Sequence, residues 1–532
     1  MGYGTRFFYK LMLLFNSKIR KYEDDFSQKY MIWEKWNLYL WGKEVIMKNK
    51  IKISLFVLLI IGSIILGLSY KNKTEVTKTK RKKQSNLAIM IKEDGATDYT
   101  KSSSKDIPKG NYILNRNKSY CKNNGLIGDY DSSIGKVSFS FIGTDSCYLY
   151  FDYEMPNGWK VVLINNSDGA TTVEEAKAYI EEKDTPDFSQ IADTNEGMFA
   201  IEDDFGKSYY FRGAVDNNWV KFGKYTKDIY YTYDSNSNSS LVKSCNDTDS
   251  CYKIASKGDD MFWRIIRING DGSIRMIYSG TYAPDVNTKV SIVETDLNSS
   301  GYSTLPKTNI GYSVFNANYN GSEYAGYMYT VKEQHGTGKD STIKTYLDDW
   351  YVNYTNLSNE SVKIVDQIFC NDRSASTVST GSTGEISSWT STGTNYYYGA
   401  RNRIWGNNSN PTPSLICTNN NDKFSTTEAS GNGKLSYPIG LITADEINIA
   451  GASSKFSNNE NYYLHTGDFY WTGSPLWYTS SANSGEYNVD RVGCLSGDSI
   501  NRLIGVRPVI SLSPKVKLSG NGTYNNVYEV VN

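Results

Sequence analysis

The chain has 532 residues, of which 39% are hydrophobic, 21% charged and 14% aromatic. Lys+Arg and Asp+Glu both number 57, so net charge is zero; a chain whose global charge drives nucleic-acid binding is excluded, as is an acidic low-complexity chain. The 43 Tyr supply apolar area for folding, and the two His leave little room for imidazole metal or acid–base chemistry. At roughly 150 residues per domain the length suits three to four folded units.

Residues 53–70 read ISLFVLLIIGSIILGLSY, uncharged and flanked by Lys. A helix of this length rises ~27 Å, enough for a ~30 Å hydrocarbon core, so the segment is expected to be a transmembrane helix. The stretch KNKTEVTKTKRKKQ that follows holds no A-x-A-like cleavage site, which favours a retained signal anchor. Residues 1–52 then form a cytoplasmic segment whose aromatic, amphipathic strings FFYKLMLLFNSKIRKY and MIWEKWNLYLW suit a membrane surface. Met47 opens MKNKIKISLFVLL, a basic n-region followed by an h-region, so a start at Met47 stands as an alternative. Lysines on both sides of the segment leave topology open. The local positive-inside count puts the C-terminal part inside, whereas the cysteines favour export, and an extracellular C-terminal part is the preferred reading.

After a basic linker (71–85), four β-type runs appear: 86–92 (NLAIMIK), 110–115 (GNYILN), 135–143 (GKVSFSFIG) and 146–154 (SCYLYFDYE). Val137, Phe139 and Phe141 alternate with Ser138 and Ser140, the period of a half-buried strand. A small disulfide-bonded β module over 86–154 follows. Over 155–197 a helix and linker are expected: Thr172 and Glu175 have capping-box spacing, and Val173, Ala176 and Ile180 share one face. The segment 264–280, RIIRINGDGSIRMIYSG, is a hairpin turning at NGDG, without the spacing or terminal Glu of a Ca²⁺ loop. Two later helices are expected, at 340–354 with Ile343, Leu347 and Trp350 in phase, and at 443–451 between Thr443 and a Gly451 stop. The fold class is therefore β-rich α+β.

The seven cysteines fall into neighbour pairs: Cys121 with Cys147, Cys245 with Cys251, and Cys370 with Cys417, leaving Cys494 over. These are disulfide candidates, with seven reduced thiols as the alternative; no Cys/His spacing suits zinc, and neither a metal nor a cofactor is implied.

Catalytic signatures are sparse. His335, in EQHGTGKDS, lacks the leading Gly of a phosphate loop, and Asp340 stands where Ser or Thr should follow Lys339. His465 sits among aromatics in YYLHTGDFYW, and no GxSxG elbow occurs. The adjacent acids Asp203–Asp204, Asp259–Asp260 and Asp348–Asp349 read as solvated loops or helix faces, so the chain reads as not an enzyme. In GDFYWTGSPLWYTSS and YNVDRVG, however, Tyr470, Trp471, Trp477 and Tyr478 offer flat apolar faces, and Asn488, Asp490 and Arg491 offer directional hydrogen bonds. Tyr470, Trp471, Trp477, Tyr478, Asn488 and Arg491 are the expected ligand-binding set; the bland alternative makes Trp471 and Trp477 core residues of a β domain.

The strings FWRIIRINGDGSIRMIYSGT, IKTYLDDWY, FCNDRS, YPIGLITADEINIAG, YYLHTGDFYWTGSP and GVRPVISL resemble, in this order, uncharacterised exported proteins of gut Gram-positive bacteria with a DUF6273-type C-terminal domain. The resemblance spans roughly residues 86–520 and implies a C-type-lectin-like fold over 198–520, shared with formylglycine-generating enzymes, with 521–532 as a tail. Those enzymes bind copper through two nearby cysteines, and Cys494 has none close in sequence. Calcium-dependent lectins carry EPN or QPD with WND, and WGNN at 405–408 only echoes the last. The function so implied is a membrane-anchored, cell-surface protein that recognises a glycan, wall polymer or host protein without catalysis. A formylglycine-generating-type oxidase and a purely structural surface protein are the alternatives.

Overall fold

The structure, a computed structural model, describes residues 86–531 except 94–95, 110–111, 133, 141–142, 154–156, 234–238, 243–250, 284–307, 378–387, 406–410, 454–456, 480 and 482. The expected membrane segment 53–70 and the basic linker lie outside the described residues. Among the described residues no helix is long and apolar enough to cross a membrane.

The first seven strands are β1 (Asn86–Lys92), β2 (Thr100–Lys101), β3 (Tyr112–Leu114), β4 (Tyr120–Cys121), β5 (Leu126–Asp131), β6 (Lys136–Ser140) and β7 (Ser146–Tyr153). β1 and β7 run parallel in unbroken register from Asn86 opposite Ser146 to Lys92 opposite Asp152. β2 flanks β1, while β3 and β4 pair with β7. Because successive side chains in a strand alternate between faces, Ile89, Leu149, Phe151 and Leu114 all point one way. They meet Val137 of the β5–β6 hairpin in a separate small core. The Cys121–Cys147 disulfide joins residues directly opposed on β4 and β7.

Two short helices follow, α1 (Gly158–Asn165) and α2 (Val173–Glu181). The capping box on α2 forms as expected, with Thr172 accepting from the Glu175 N–H. α1 has no counterpart in the sequence reading. Val162 and Leu163 of α1 and Ala176 and Ile180 of α2 are fully buried in the main core, so the two helices pack rather than merely link. Gly158 lets α1 approach closely; a Cβ there would fall 2.6 Å from Leu518 Cγ.

The main body contains β8 (Asn195–Asp203), β9 (Gly206–Gly213), β10 (Trp219–Lys224), β11 (Asp260–Ile268) and β12 (Ile274–Tyr278). Three helices follow, α3 (Thr342–Asn353), α4 (Gly399–Trp405) and α5 (Ala444–Ala450). The chain ends with β13 (Tyr470–Thr479), β14 (Asn483–Val489), β15 (Leu495–Ser499), β16 (Val509–Leu512), β17 (Lys517–Ser519) and β18 (Tyr528–Val531). One sheet has the order β16-β12-β11-β10-β18-β17, with β9 on β11 and β8 on β9. A second places β13 against β14, then β15, with two-residue strands at Tyr396–Tyr397 and Ile504–Gly505 beyond β13.

The β11–β12 pair is the hairpin read at 264–280. On α3, Ile343, Leu347 and Trp350 are fully buried in the expected phase. On α5, Thr443 and Glu446 form a second capping box and Gly451 ends the helix at φ +127°. The residues read as a tail instead supply β18, whose Tyr528 pairs with Val220. The β-rich α+β class is thus correct at the coarse level.

Candidate functional site

The six expected ligand-binding residues separate into three places. Tyr470, Trp471, Tyr478 and Asn488 are buried, which corrects their reading as a surface: β13 is covered on both faces as far as Leu476. Trp471 donates from Nε1 to the Ser313 carbonyl and meets Phe315 edge-on, while Tyr470 donates to the Leu464 carbonyl. Arg491 is half-buried with its guanidinium 5.3 Å from the Phe469 ring centroid, and the His465 Nε2 lies 2.7 Å from its carbonyl oxygen. Trp477 alone of the aromatics stays half-exposed.

Trp477 emerges where the strand leaves its cover. Tyr396 pairs with Tyr478 and Tyr397 with Trp477, so the alternation buries the first pair and turns the second outward. The indole lies across two glycines: a Cβ on Gly485 would sit 2.3 Å from Trp477 Cε2, and one on Gly497 2.6 Å from Cζ3. The strands beside it are thus bare of side chains where the ring rests. Next to it, the Arg401 guanidinium of α4 lies 3.4 Å from the Tyr397 centroid and 4.6 Å from that of Trp405. Tyr397, Trp405 and Trp477 form a half-exposed aromatic patch with a cation held between two of its rings. Trp405 and Tyr397 were missed in the sequence; the aromatic run YYYGARNRIW was their only local signal.

The same helix reaches a second cluster. Two residues beyond Arg401, Arg403 binds Asp445 through two nitrogens at 2.7 and 3.0 Å and Asp372 at 2.6 Å. Arg267 bridges Asp203 at 2.6 Å and Glu446 at 3.1 Å, Arg275 lies 2.6 Å from Glu446, and Lys423 holds Asp204 at 2.7 Å. Burial works to raise Glu446 and Asp372, but Arg275 and Arg267 hold the first below the usual carboxylate range, and Arg403 the second. All of these side chains but Lys423, together with Cys370, disulfide-bonded to Cys417, line a cavity of about 30 Å³. That is room for about two waters and too little for a sugar ring. Every acid has a cationic partner, so the cluster fastens α4, α5 and the β8–β9 turn together.

Of the remaining cysteines, Cys494 is buried with Sγ 3.9 Å from the Ser453 and Leu495 carbonyls, and Cys245 lies outside the described residues, so its pairing with Cys251 does too. His335 sits 2.9 Å from Asp422, which also binds the buried Arg373. Among the described residues one group has metal-like spacing, Cys121, Asp145 and Cys147, but its sulfurs are joined to each other and offer no thiolate. No family model matches the chain, and neither a curated protein nor a solved structure shows significant similarity to it.

Proposed function

We propose that this is a non-catalytic cell-surface binding protein, held by the membrane segment at 53–70 and recognising a glycan through Tyr397, Trp405 and Trp477. The observation that carries the reading is the Trp477 indole, half-exposed on a floor of Gly485 and Gly497. A flat ring on a fixed support suits the apolar face of a sugar ring and loses little freedom on binding. The two disulfides at Cys121–Cys147 and Cys370–Cys417 fit an oxidising compartment.

The test is binding of the purified full chain to an array of glycans, wall fragments and mucins. A saturable signal that falls about tenfold in Trp477→Ala and persists in Trp477→Tyr, with the melting transition retained in both, supports the reading. A signal untouched by Trp477→Ala and Tyr397→Ala, or no saturable signal at all, overturns it.

A further inference from the structure

The sheet formed by β1–β4 and β7 buries one face only. On the other face the register lines up Ala88 with Tyr148, Met90 with Tyr150 and Lys92 with Asp152. Lys101 of β2 stands beside Met90, Ile113 of β3 beside Asp152, and Tyr120 of β4 beside Tyr148. Ile113 and Tyr120 are 50% and 47% exposed, and no core cluster covers this face. Tyr120 stacks on Tyr148 at 5.0 Å and 13°, and Tyr99 meets Tyr150 edge-on at 5.0 Å.

Cations sit on this tyrosine array. The Lys118 ammonium lies 4.6 Å from the Tyr99 centroid, and the Lys122 ammonium 5.5 Å from that of Tyr148. With Lys92 and Lys101 they make four lysines, none in an ion pair with a described carboxylate. The one carboxylate in the register, Asp152, is already occupied, accepting from the Tyr99 hydroxyl at 2.5 Å and the Asn115 amide at 2.7 Å. The face is therefore basic as well as aromatic. Three inter-strand spacings from β2 to β4 make it roughly 14 Å wide, the scale of an extended chain rather than a point ion.

We propose that this face binds an extended acidic polysaccharide, a site separate from the Trp477 patch and independent of it. Uronate or phosphate groups along such a chain would meet the row of ammonium groups, two of them seated on the Tyr99 and Tyr148 rings. Single-stranded nucleic acid is the less favoured partner, because Lys118 and Lys122 already cover ring faces on which bases would stack.

The experiment measures binding of the full chain to polygalacturonate, with neutral dextran, single-stranded DNA and anionic phospholipid vesicles alongside. The expected result is saturable binding to polygalacturonate that weakens about tenfold between about 0.05 M and about 0.3 M salt. A double variant, Lys118→Glu with Lys122→Glu, should lose about tenfold, while Lys136→Glu on the hairpin against the other face should change little. Trp477→Ala should leave this binding unchanged, so failure here and failure of the glycan patch are read separately. Equal loss in Lys136→Glu, tighter binding of DNA, binding to vesicles alone, or no saturable binding each overturns the proposal.

Discussion

Glu486, in the middle of β14, is fully buried, and neither of its carboxylate oxygens has a hydrogen-bond partner. The cation that acts on it, Arg373, is engaged elsewhere: Nε and Nη2 face Asp422, and Nη1 donates to the Met328 and Gly336 carbonyls. Tyr398 and Glu323, which share its electrostatic surroundings, offer no compensating positive charge. Burial therefore pushes the Glu486 carboxyl well above the usual range, with Arg373 only partly opposing. The folded state then holds a proton that the unfolded chain releases, so stability falls as pH rises from the ordinary Glu value to the raised one. The slope is about 1.4 kcal/mol per pH unit for one proton. Glu486→Gln keeps the shape and cannot ionise, so over two pH units inside this window the variant should gain about 2.7 kcal/mol on the wild type. Urea unfolding of both proteins across a pH series measures this difference directly. A flat difference, or a variant that becomes less stable as pH rises, would show that Glu486 is ionised and paired, and would refute the argument.

Arg403→Ala strands Asp372 and Asp445 beneath the surface, and should cost about 3–5 kcal/mol in denaturant unfolding. Because Asp372 is held below the ordinary carboxylate range, its contribution is full above the ordinary Asp value and fades as pH falls through the lowered one; an acid titration of wild type against this variant should show the loss. Replacing Cys370 and Cys417 with Ser opens a loop with a sequence separation of 47 and should cost about 4 kcal/mol, read as a lower melting temperature. Gly485→Ala would drive a methyl into the Trp477 indole, costing about 1–3 kcal/mol and shifting the tryptophan emission. Unchanged emission and stability would mean that the ring does not rest there.

What could be read from the sequence was local. Thr172 with Glu175 announces a helix start because the capping bonds span only three residues, and Thr443 and Gly451 bound the later helix as expected. NGDG announces its hairpin, and Cys370 pairs with Cys417, its neighbour in the sequence, as expected. What stayed hidden is set by distant chain. Eight residues, GWKVVLIN, carry no N-cap bond and look like a buried strand, yet become α1 because β17 and α2 cover them. The run FYWTGSPLWY looks like surface material because it is aromatic and lacks alternation. A central strand covered on both faces has no reason to alternate, and of the aromatics of β13 only Trp477, where the cover stops, meets solvent. The ionic cluster was equally illegible, since Arg267, Arg403 and Glu446 come from three separate stretches and none has its partner within helical reach.

The parallel pairing of β1 and β7 also decides how the first module answers a pull along the chain. The chain enters at Asn86 and leaves beyond Tyr153, at opposite ends of two strands that point the same way. Tension between these ends slides the strands along each other, so the evenly spaced hydrogen bonds of the ladder are strained together and none can be peeled off first. Were β7 antiparallel to β1, the same tension would open the pair one rung at a time. A module strung this way resists unfolding when its two ends are drawn apart, because its ladder must yield as a whole.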